Sequence, residues 1–345
     1  MPLDIAVILA DPRLPYPYNP GGRMAEHDHR DAARLQDALG RLSSCRFTIL
    51  DDHENLPEAL RQGSFDLVLN FCNAGFRNQP ALQLHVPALV EMLGHPLAGA
   101  DAACLALCHD KGAVNTVARA HAVAVPAQEV IRLSRGNRPR PPERVPVLLK
   151  PNSGSGSTGI STGSVVQAPE DAEASLSALT ADTGVLWVVA EELLPGDEFS
   201  VAVLGEAGGL RCLPPLTVDY GDLPEDLPRI MTHESKTDEK SPYYQRLRLK
   251  PAEVPDDLRA RLDETCRLMF DRLGLRDYAR FDFRDDANGV PRLIDVNAHP
   301  EWRADGMMAR MAGYAGIDYP DLLARIIDGA RARIAAAEKG AAIHG

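Results

Sequence analysis

Val145-Pro-Val-Leu-Leu-Lys150-Pro-Asn-Ser-Gly154-Ser-Gly156-Ser-Thr-Gly159-Ile-Ser-Thr-Gly-Ser-Val-Val166 decides how this chain is read. The apolar run 145–150 predicts a strand, and the glycines after it contain a G-x-G-x-x-G pattern. A dinucleotide-binding loop of that pattern opens a helix. Here the glycines lead into the β-branched stretch 160–166, and helical sequence returns only at Pro169-Glu170-Asp171. Strand, glycine loop, strand describes a hairpin flap that can close over a triphosphate. Its small residues let backbone N–H groups approach phosphate oxygens, and its hydroxyls add donors. Lys150, at the end of the first strand, can reach the same phosphates. A solvent-exposed turn is the alternative for these residues taken alone. No G-x-x-x-x-G-K-[ST] loop occurs, which excludes P-loop chemistry.

Toward the N-terminus, apolar strands at 5–10, 47–50 and 65–71 alternate with helical patterns at 26–42 and 82–93. This alternation predicts a parallel, doubly wound sheet. A helix at 101–118, a strand at 123–133 and an exposed Pro-rich loop at 134–143 lead up to the flap. Beyond residue 196, β-type alternation dominates until a helix at 256–273, a hairpin and closing helices at 319–337, with the last eight residues a frayed tail.

The chain has 345 residues, too many for one simple core. With 37 Lys and Arg against 49 Asp and Glu, its formal net charge is −12, which argues against a nucleic-acid or anionic-membrane surface. No apolar run reaches membrane-spanning length, and no basic leader precedes the first strand, so a cytoplasmic location is expected. Six cysteines are too sparse for a disulfide scaffold, and Cys104, Cys108 and His109 read as small core residues on a helix rather than a metal half-site.

A second constellation lies at Tyr278-Ala-Arg280-Phe-Asp282-Phe-Arg284 and Pro291-Arg-Leu-Ile-Asp295-Val-Asn297, separated by an Asn-Gly turn. Period-2 geometry puts Arg280 and Asp282 on one face, and Leu293, Asp295 and Asn297 on one face of the returning strand. If those faces coincide, two carboxylates and a carboxamide converge. Two carboxylates about 5 Å apart repel by roughly 3 kcal/mol at an effective dielectric near 20, and a cation between them relieves this. Oxygen ligands of this kind suit Mg²⁺ completed by water and phosphates. A solvated hairpin with cross-strand Arg–Asp pairs is the alternative.

With these motifs in order, the sequence resembles the ATP-grasp superfamily, and within it the D-alanine–D-alanine ligase branch. The likeness runs from about residue 5 to 327. It rests on Asp110-Lys111 opening a helix, Lys150-Pro with its glycine loop, Glu191…Gly196-x-Glu198-Phe-Ser-Val-Ala-Val-Leu-Gly205, Arg280-x-Asp282 and Asp295-x-Asn297-x-x-Pro300. The resemblance implies a three-lobed α/β fold: a Rossmann-like lobe over 1–106, a small central lobe with the flap over 107–194, and a lobe with the metal and catalytic residues over 195–345. It implies that Lys111, Lys150, Ser155, Ser157 and Thr158 contact ATP phosphates. Glu191, Leu193 and Leu194 would surround the adenine and Glu198 would accept from the ribose. Asp282, Asp295 and Asn297 would hold two Mg²⁺, with Mn²⁺ as the alternative ion, and Arg280 would steady the transferred phosphate and acyl group. Lys236 resembles a lid-loop lysine, and Glu26 the glutamate that binds the first amino acid's ammonium. A homodimer is the family-level expectation.

The resemblance breaks at the substrate end. Where the branch has Asn-x-x-Pro-Gly followed by Thr and Ser that help hold the acceptor's carboxylate, this chain reads Asn297-Ala-His-Pro300-Glu301-Trp302-Arg303-Ala-Asp305-Gly306. A His-Gly loop is replaced by Cys72-Asn-Ala-Gly75-Phe-Arg77, and a metal-binding Glu by Asp295. ATP activation is therefore expected to be kept and the amino-acid pockets rebuilt, with Arg303 pairing an acceptor carboxylate and Glu301 or Asp305 an amine. The implied activity is carboxylate–amine ligation through an acyl phosphate, in specialised metabolism. A genuine D-alanine–D-alanine ligase and a catalytically silent ATP-binding regulator are the alternatives.

Overall fold

The computed structural model describes residues 2–19, 21–133, 141–154, 156–183 and 186–344. Ser155 and the segment 134–140 of the expected exposed loop lie outside the described residues. Three sheets carry the fold. The first is parallel, in the order β2 (Cys45–Leu50), β1 (Leu3–Ile8), β3 (Leu67–Asn70), β4 (Leu97–Ala98). All four residues of β3 and the last four of β1 are buried, as strands covered on both faces must be. Ile5 and Val7 pack against the helix Glu26–Gly40 and against Leu323 and Ile327 of the last helix. Ala6 and Ile8 face Leu56, Leu60, Val86 and Val90 on the other side. The helix Leu56–Gln62 was not anticipated from the sequence.

The second sheet is antiparallel, in the order β5 (Gln128–Arg132), β8 (Trp187–Glu192), β6 (Val147–Pro151), β7 (Val165–Val166). The third is built on β9 (Glu198–Glu206), β10 (Gly209–Cys212), β11 (Leu216–Asp219), β12 (Arg248–Pro251), β13 (Tyr278–Asp285) and β14 (Pro291–Asn297). Val201, Val203, Phe281 and Phe283 meet Leu262, Cys266 and Met269 of the helix Asp256–Arg272 on one face. Ala202 and Leu204 meet Met307, Met308 and Met311 on the other. Cys104 and Cys108 are buried in the first of these cores, as small apolar residues.

Several expectations change in detail. The single helix expected at 101–118 is two, Ala102–His109 and Lys111–Ala120. Asp110 divides them: its backbone is extended (φ −93°, ψ 98°) and its carboxylate accepts from Ala113 N–H at 2.8 Å, an N-cap that starts a new helix. The flap is a hairpin, but its second strand is only β7, because Thr162–Ser164 coils into a 3₁₀ turn. The last helix, Tyr319–His344, continues past residue 337 through an alanine-rich stretch where a frayed tail was expected.

A buried carboxylate ties the first sheet to the third. Asp277, at the entry to β13 and 3% exposed, accepts from Gly99 N–H (2.8 Å), Arg333 Nε (2.8 Å) and Arg333 Nη2 (2.8 Å), while Arg333 also donates to Leu97 O (2.8 Å). Removing one partner of a buried pair strands the other charge. Arg333→Met is therefore expected to cost about 3 kcal/mol in urea denaturation, and Arg333→Met combined with Asp277→Asn to recover part of it.

Candidate active site

The second and third sheets meet around one cleft, lined by Lys111, Lys150, Glu191, Leu194, Glu198, Lys236, Arg280, Asp282, Asp295 and Asn297 among others. Its floor is the β13–β14 hairpin. Arg280 pairs with Asn297 and Asp282 with Asp295 directly across the strands, so the two acidic faces do coincide. A register shift after Asp282 sets Phe283 opposite Leu293. That bulge turns Leu293 into the core with Phe283, away from the face of Asp295 and Asn297 where simple alternation put it.

Asp282 and Asp295 each meet a cation. Arg280 Nε and Nη2 donate to the two oxygens of Asp282, both at 2.9 Å, and Ser200 Oγ donates to Asp282 Oδ1 at 2.6 Å. Lys111 Nζ donates to Asp295 Oδ1 (3.2 Å) and to Gly154 O in the flap (3.1 Å). Burial would raise the Asp295 carboxyl, but Lys111 and Lys150 outweigh it and hold it below the usual carboxylate range. Lys111 is placed by its neighbours: its own N–H donates to Asn152 O, and Gly112 N–H donates to Asn152 Oδ1, both at 3.0 Å.

Lys150 leaves β6 into the interior, 5% exposed, and donates to Glu191 Oε1 (2.8 Å) and Ile294 O (3.2 Å). Burial pushes Glu191 up more strongly than Lys150 pulls it down. Leu148, Leu193, Leu194, Ile230, Met231 and Ile294 form an apolar slot beside this pair. Glu198 is also buried and raised by that burial, against Arg284 (3.6 Å) and the Tyr220 hydroxyl, which donates at 2.8 Å.

The flap and the segment after β11 are joined. Lys236 Nζ donates to Ser157 Oγ (3.1 Å) and His233 N–H to Ile160 O (2.8 Å). Gly154, Gly156 and Gly159 have φ of +124°, +68° and +78°. A Cβ at Gly154 or Gly156 would touch nothing within 4 Å, so conformation rather than space calls for glycine there. Thr158 lines the cleft with Ser157.

The remaining candidates separate. Glu301 lies in the electrostatic field of Arg280 and Lys236. Arg303 sits among carboxylates of Asp31 (3.8 Å), Glu301 (3.6 Å) and Asp305 (3.8 Å). Gly306 is buried and caps the helix Met307–Tyr314. The substrate-side loops are tied together by Asn73 Nδ2 donating to His299 O (2.9 Å) and by Trp302 Nε1 donating to Phe71 O. Glu26 is not brought to the cleft: it is exposed on the first turn of its helix, 3.7 Å from Arg30. Ser200, Tyr220 and Arg284 were missed as site residues. Arg284 was findable, since it stands two residues beyond Asp282 and the register sets it opposite Glu198.

The donor set can be tested for a metal. Asp282, Asp295 and Asn297 offer only oxygens, and among the described residues no group of three or more His, Cys, Asp or Glu forms a cage of its own. That combination fits a hard divalent ion shared with phosphates, as Mg²⁺ prefers.

The Lys150–Glu191 pair yields a pH-dependent expectation. In Lys150→Met, Glu191 loses its buried cation, and its carboxyl rises further. Protonated, Glu191 tolerates the site; ionised, it is a stranded charge. The stability deficit against wild type should thus be small near pH 5 and grow to about 3 kcal/mol by pH 8, measured by urea denaturation. Glu191→Gln added to Lys150→Met should remove the pH dependence.

Known proteins share this architecture. Residues 142–328 match the family profile described as D-ala D-ala ligase C-terminus. The D-alanine–D-alanine ligase B of Chromobacterium violaceum is 25% identical over 316 residues, covering 89% of this chain and 95% of that protein. The vancomycin/teicoplanin A-type resistance protein VanA of Enterococcus faecium is 31% identical over 245 residues, covering 70% of this chain and 67% of that protein. The solved D-alanine–D-alanine ligase of Bacillus anthracis, complexed with ATP, superposes with a TM-score of 0.71 at 19% identity, over 97% of this chain and 99% of that one. With its floor of paired carboxylates, its glycine hairpin and this match over more than half its length, the chain belongs to the D-alanine–D-alanine ligase family of ATP-grasp proteins.

Proposed function

We propose that this protein uses ATP to join a carboxylate to an amine, through an acyl phosphate, with release of ADP and phosphate. The observation that carries the reading is the direct cross-strand pairing of Asp282 with Asp295 and of Arg280 with Asn297, facing Lys111 and Lys150 from the flap side. This is a charge arrangement suited to phosphoryl transfer, which needs positioning and electrostatic stabilisation more than a nucleophile.

The residues divide the work. The apolar slot at Leu193 and Leu194 takes the purine beside Glu191, and Glu198 takes the ribose hydroxyls. Lys111, Lys150 and the flap residues Ser155, Ser157 and Thr158 hold the phosphates, with Lys236 closing over them. Asp282, Asp295 and Asn297 would hold two Mg²⁺, or Mn²⁺ in their place, which supply Lewis-acid neutralisation of the phosphoryl oxygens when bound. Arg280 stabilises the oxyanion that develops when the amine attacks. Glu301, Arg303, Asp305 and Gly306 form the substrate end, with Glu26 more distant on its exposed helix turn.

Lobe boundaries at 106/107 and 194/195 belong to this proposal; each sheet lies within one of the three segments. So do a homodimer and a cytoplasmic location. No helix among the described residues is long and apolar enough to cross a membrane. We assign the products to specialised metabolism because the substrate end, unlike the nucleotide end, departs from the ligase pattern. A silent regulator would have no use for Arg280 poised over Asp282.

The test is phosphate release from ATP and Mg²⁺ across paired carboxylates and amines of both hands, together with calorimetry of ATP. Release only with D-alanine would favour the cell-wall reading; no ATP uptake would reject the proposal. Arg280→Ala is expected to lower kcat by about 10²–10³-fold while ATP affinity changes little.

A further inference from the structure

Glu198 is held by a phenol to which the proposed reaction gives no part. Tyr220 follows directly on β11, 8% exposed, in an apolar cluster with Val218, Leu223 and Tyr243. Its hydroxyl donates to Glu198 Oε2 at 2.8 Å. Glu198 and Arg284 line the cleft, and Tyr220 is not among the lining residues. The phenol is thus anchored outside the cleft and touches it only through the carboxylate.

The second neighbour of Glu198 crowds the same oxygen. The register sets Arg284 of β13 directly opposite Glu198, and Arg284 Nη1 lies 3.6 Å from Oε2. Arg284 is fixed in turn by its Nε, which donates to Gly196 O at 3.2 Å. Among the described residues none donates to Oε1. An ionised carboxylate only accepts, with lone pairs on both oxygens. Tyrosine and arginine engage one oxygen and leave the other to be satisfied by a donor in the cleft.

We propose that Tyr220 is a positioning residue that keeps Oε1 of Glu198 turned to the cleft, and so makes the site select a nucleotide with an intact ribose over a deoxynucleotide. The inference rests on the ligase reading, in which Glu198 accepts from the ribose. A nucleotide lacking the hydroxyl leaves that oxygen unpaired in a buried place, and sites built to bond a hydroxyl reject the analogue without it for this reason. With the phenolic hydroxyl removed, the carboxylate is free to turn toward Arg284, and the missing hydroxyl is penalised less.

Calorimetric titration of the whole protein with ATP, 2′-deoxy-ATP and 3′-deoxy-ATP, each with Mg²⁺ and with no carboxylate or amine present, tests this. Wild type should bind ATP about tenfold or more tightly than at least one of the deoxynucleotides. In Tyr220→Phe, which keeps the ring in its apolar cluster, that ratio should fall about threefold or more. Glu198→Ala should abolish the preference, and Tyr220→Phe added to Glu198→Ala should change the ratio no further, because the phenol acts through the carboxylate. A tyrosine with only a structural role would weaken all three nucleotides alike and leave the ratio where it was. Equal binding of the three by wild type, an unchanged ratio in Tyr220→Phe, or a further change in the double variant would overturn the proposal. Failure of the underlying ligase reading shows separately, as no uptake of any of the three nucleotides by wild type.

Discussion

The structure depends on cations that are left almost dry each being met by a carboxylate. Lys111, Lys150 and Arg280 have side chains 12%, 6% and 13% exposed, and each is met by a carboxylate. Any one of them buried alone would be costly, and a buried carboxylate alone equally so. Lys150 also joins two sheets, since its ammonium bonds Glu191 within its own sheet and the backbone carbonyl of Ile294 in the third. On the proposed reading, a triphosphate with its metal would find the partners it needs, cations and oxygen donors, already in place and only having to exchange one another for it.

Much of this was legible in the sequence because it is local. The parallel N-terminal sheet followed from strand and helix alternation, and the flap from glycines that run into β-branched residues rather than a helix. Period-2 geometry put Arg280 with Asp282 and Asp295 with Asn297, and left open whether the two faces coincide, which the register now answers. What failed were features that local pattern does not encode. The bulge after Asp282 depends on how β14 settles against β13, so Leu293 was put on the wrong face. Apolar periodicity runs through Asp110, so the helix start at Asp110-Lys111 entered only with the family resemblance, although an Asp three residues before Ala113 is a recognisable cap. The exposed position of Glu26 is set by where its helix lies on the first sheet, which only the assembled fold decides.

The two ends of the cleft differ in kind. At the proposed nucleotide end, the groups are placed by regular structure: Lys111 at the start of a helix held by Asn152, Lys150 by β6, Asp282 and Asp295 by the hairpin register. These positions tolerate little change because they come from sheet geometry. At the substrate end the groups stand on loops, Cys72–Gly75 and Glu301–Asp305, joined to each other by side-chain hydrogen bonds such as Asn73 to His299 O. Loops on a rigid scaffold can be rewritten without cost to the sheets, and here the rewriting is coupled.

The departing stretch carries a charge network of its own: the Glu301 side chain lies against Gly306, Asp31, Glu301 and Asp305 lie 3.6–3.8 Å from Arg303, and Asp31 and Asp305 lie 3.7 and 3.8 Å from Arg34. Arg280, the residue proposed to meet the transferred group, is held charged because Asp282 outweighs its burial. On the proposed reading, the nucleotide end keeps the ligase pattern while the neighbouring wall carries a different set of charges, which is why the change is assigned to what the chain accepts and not to how it activates it.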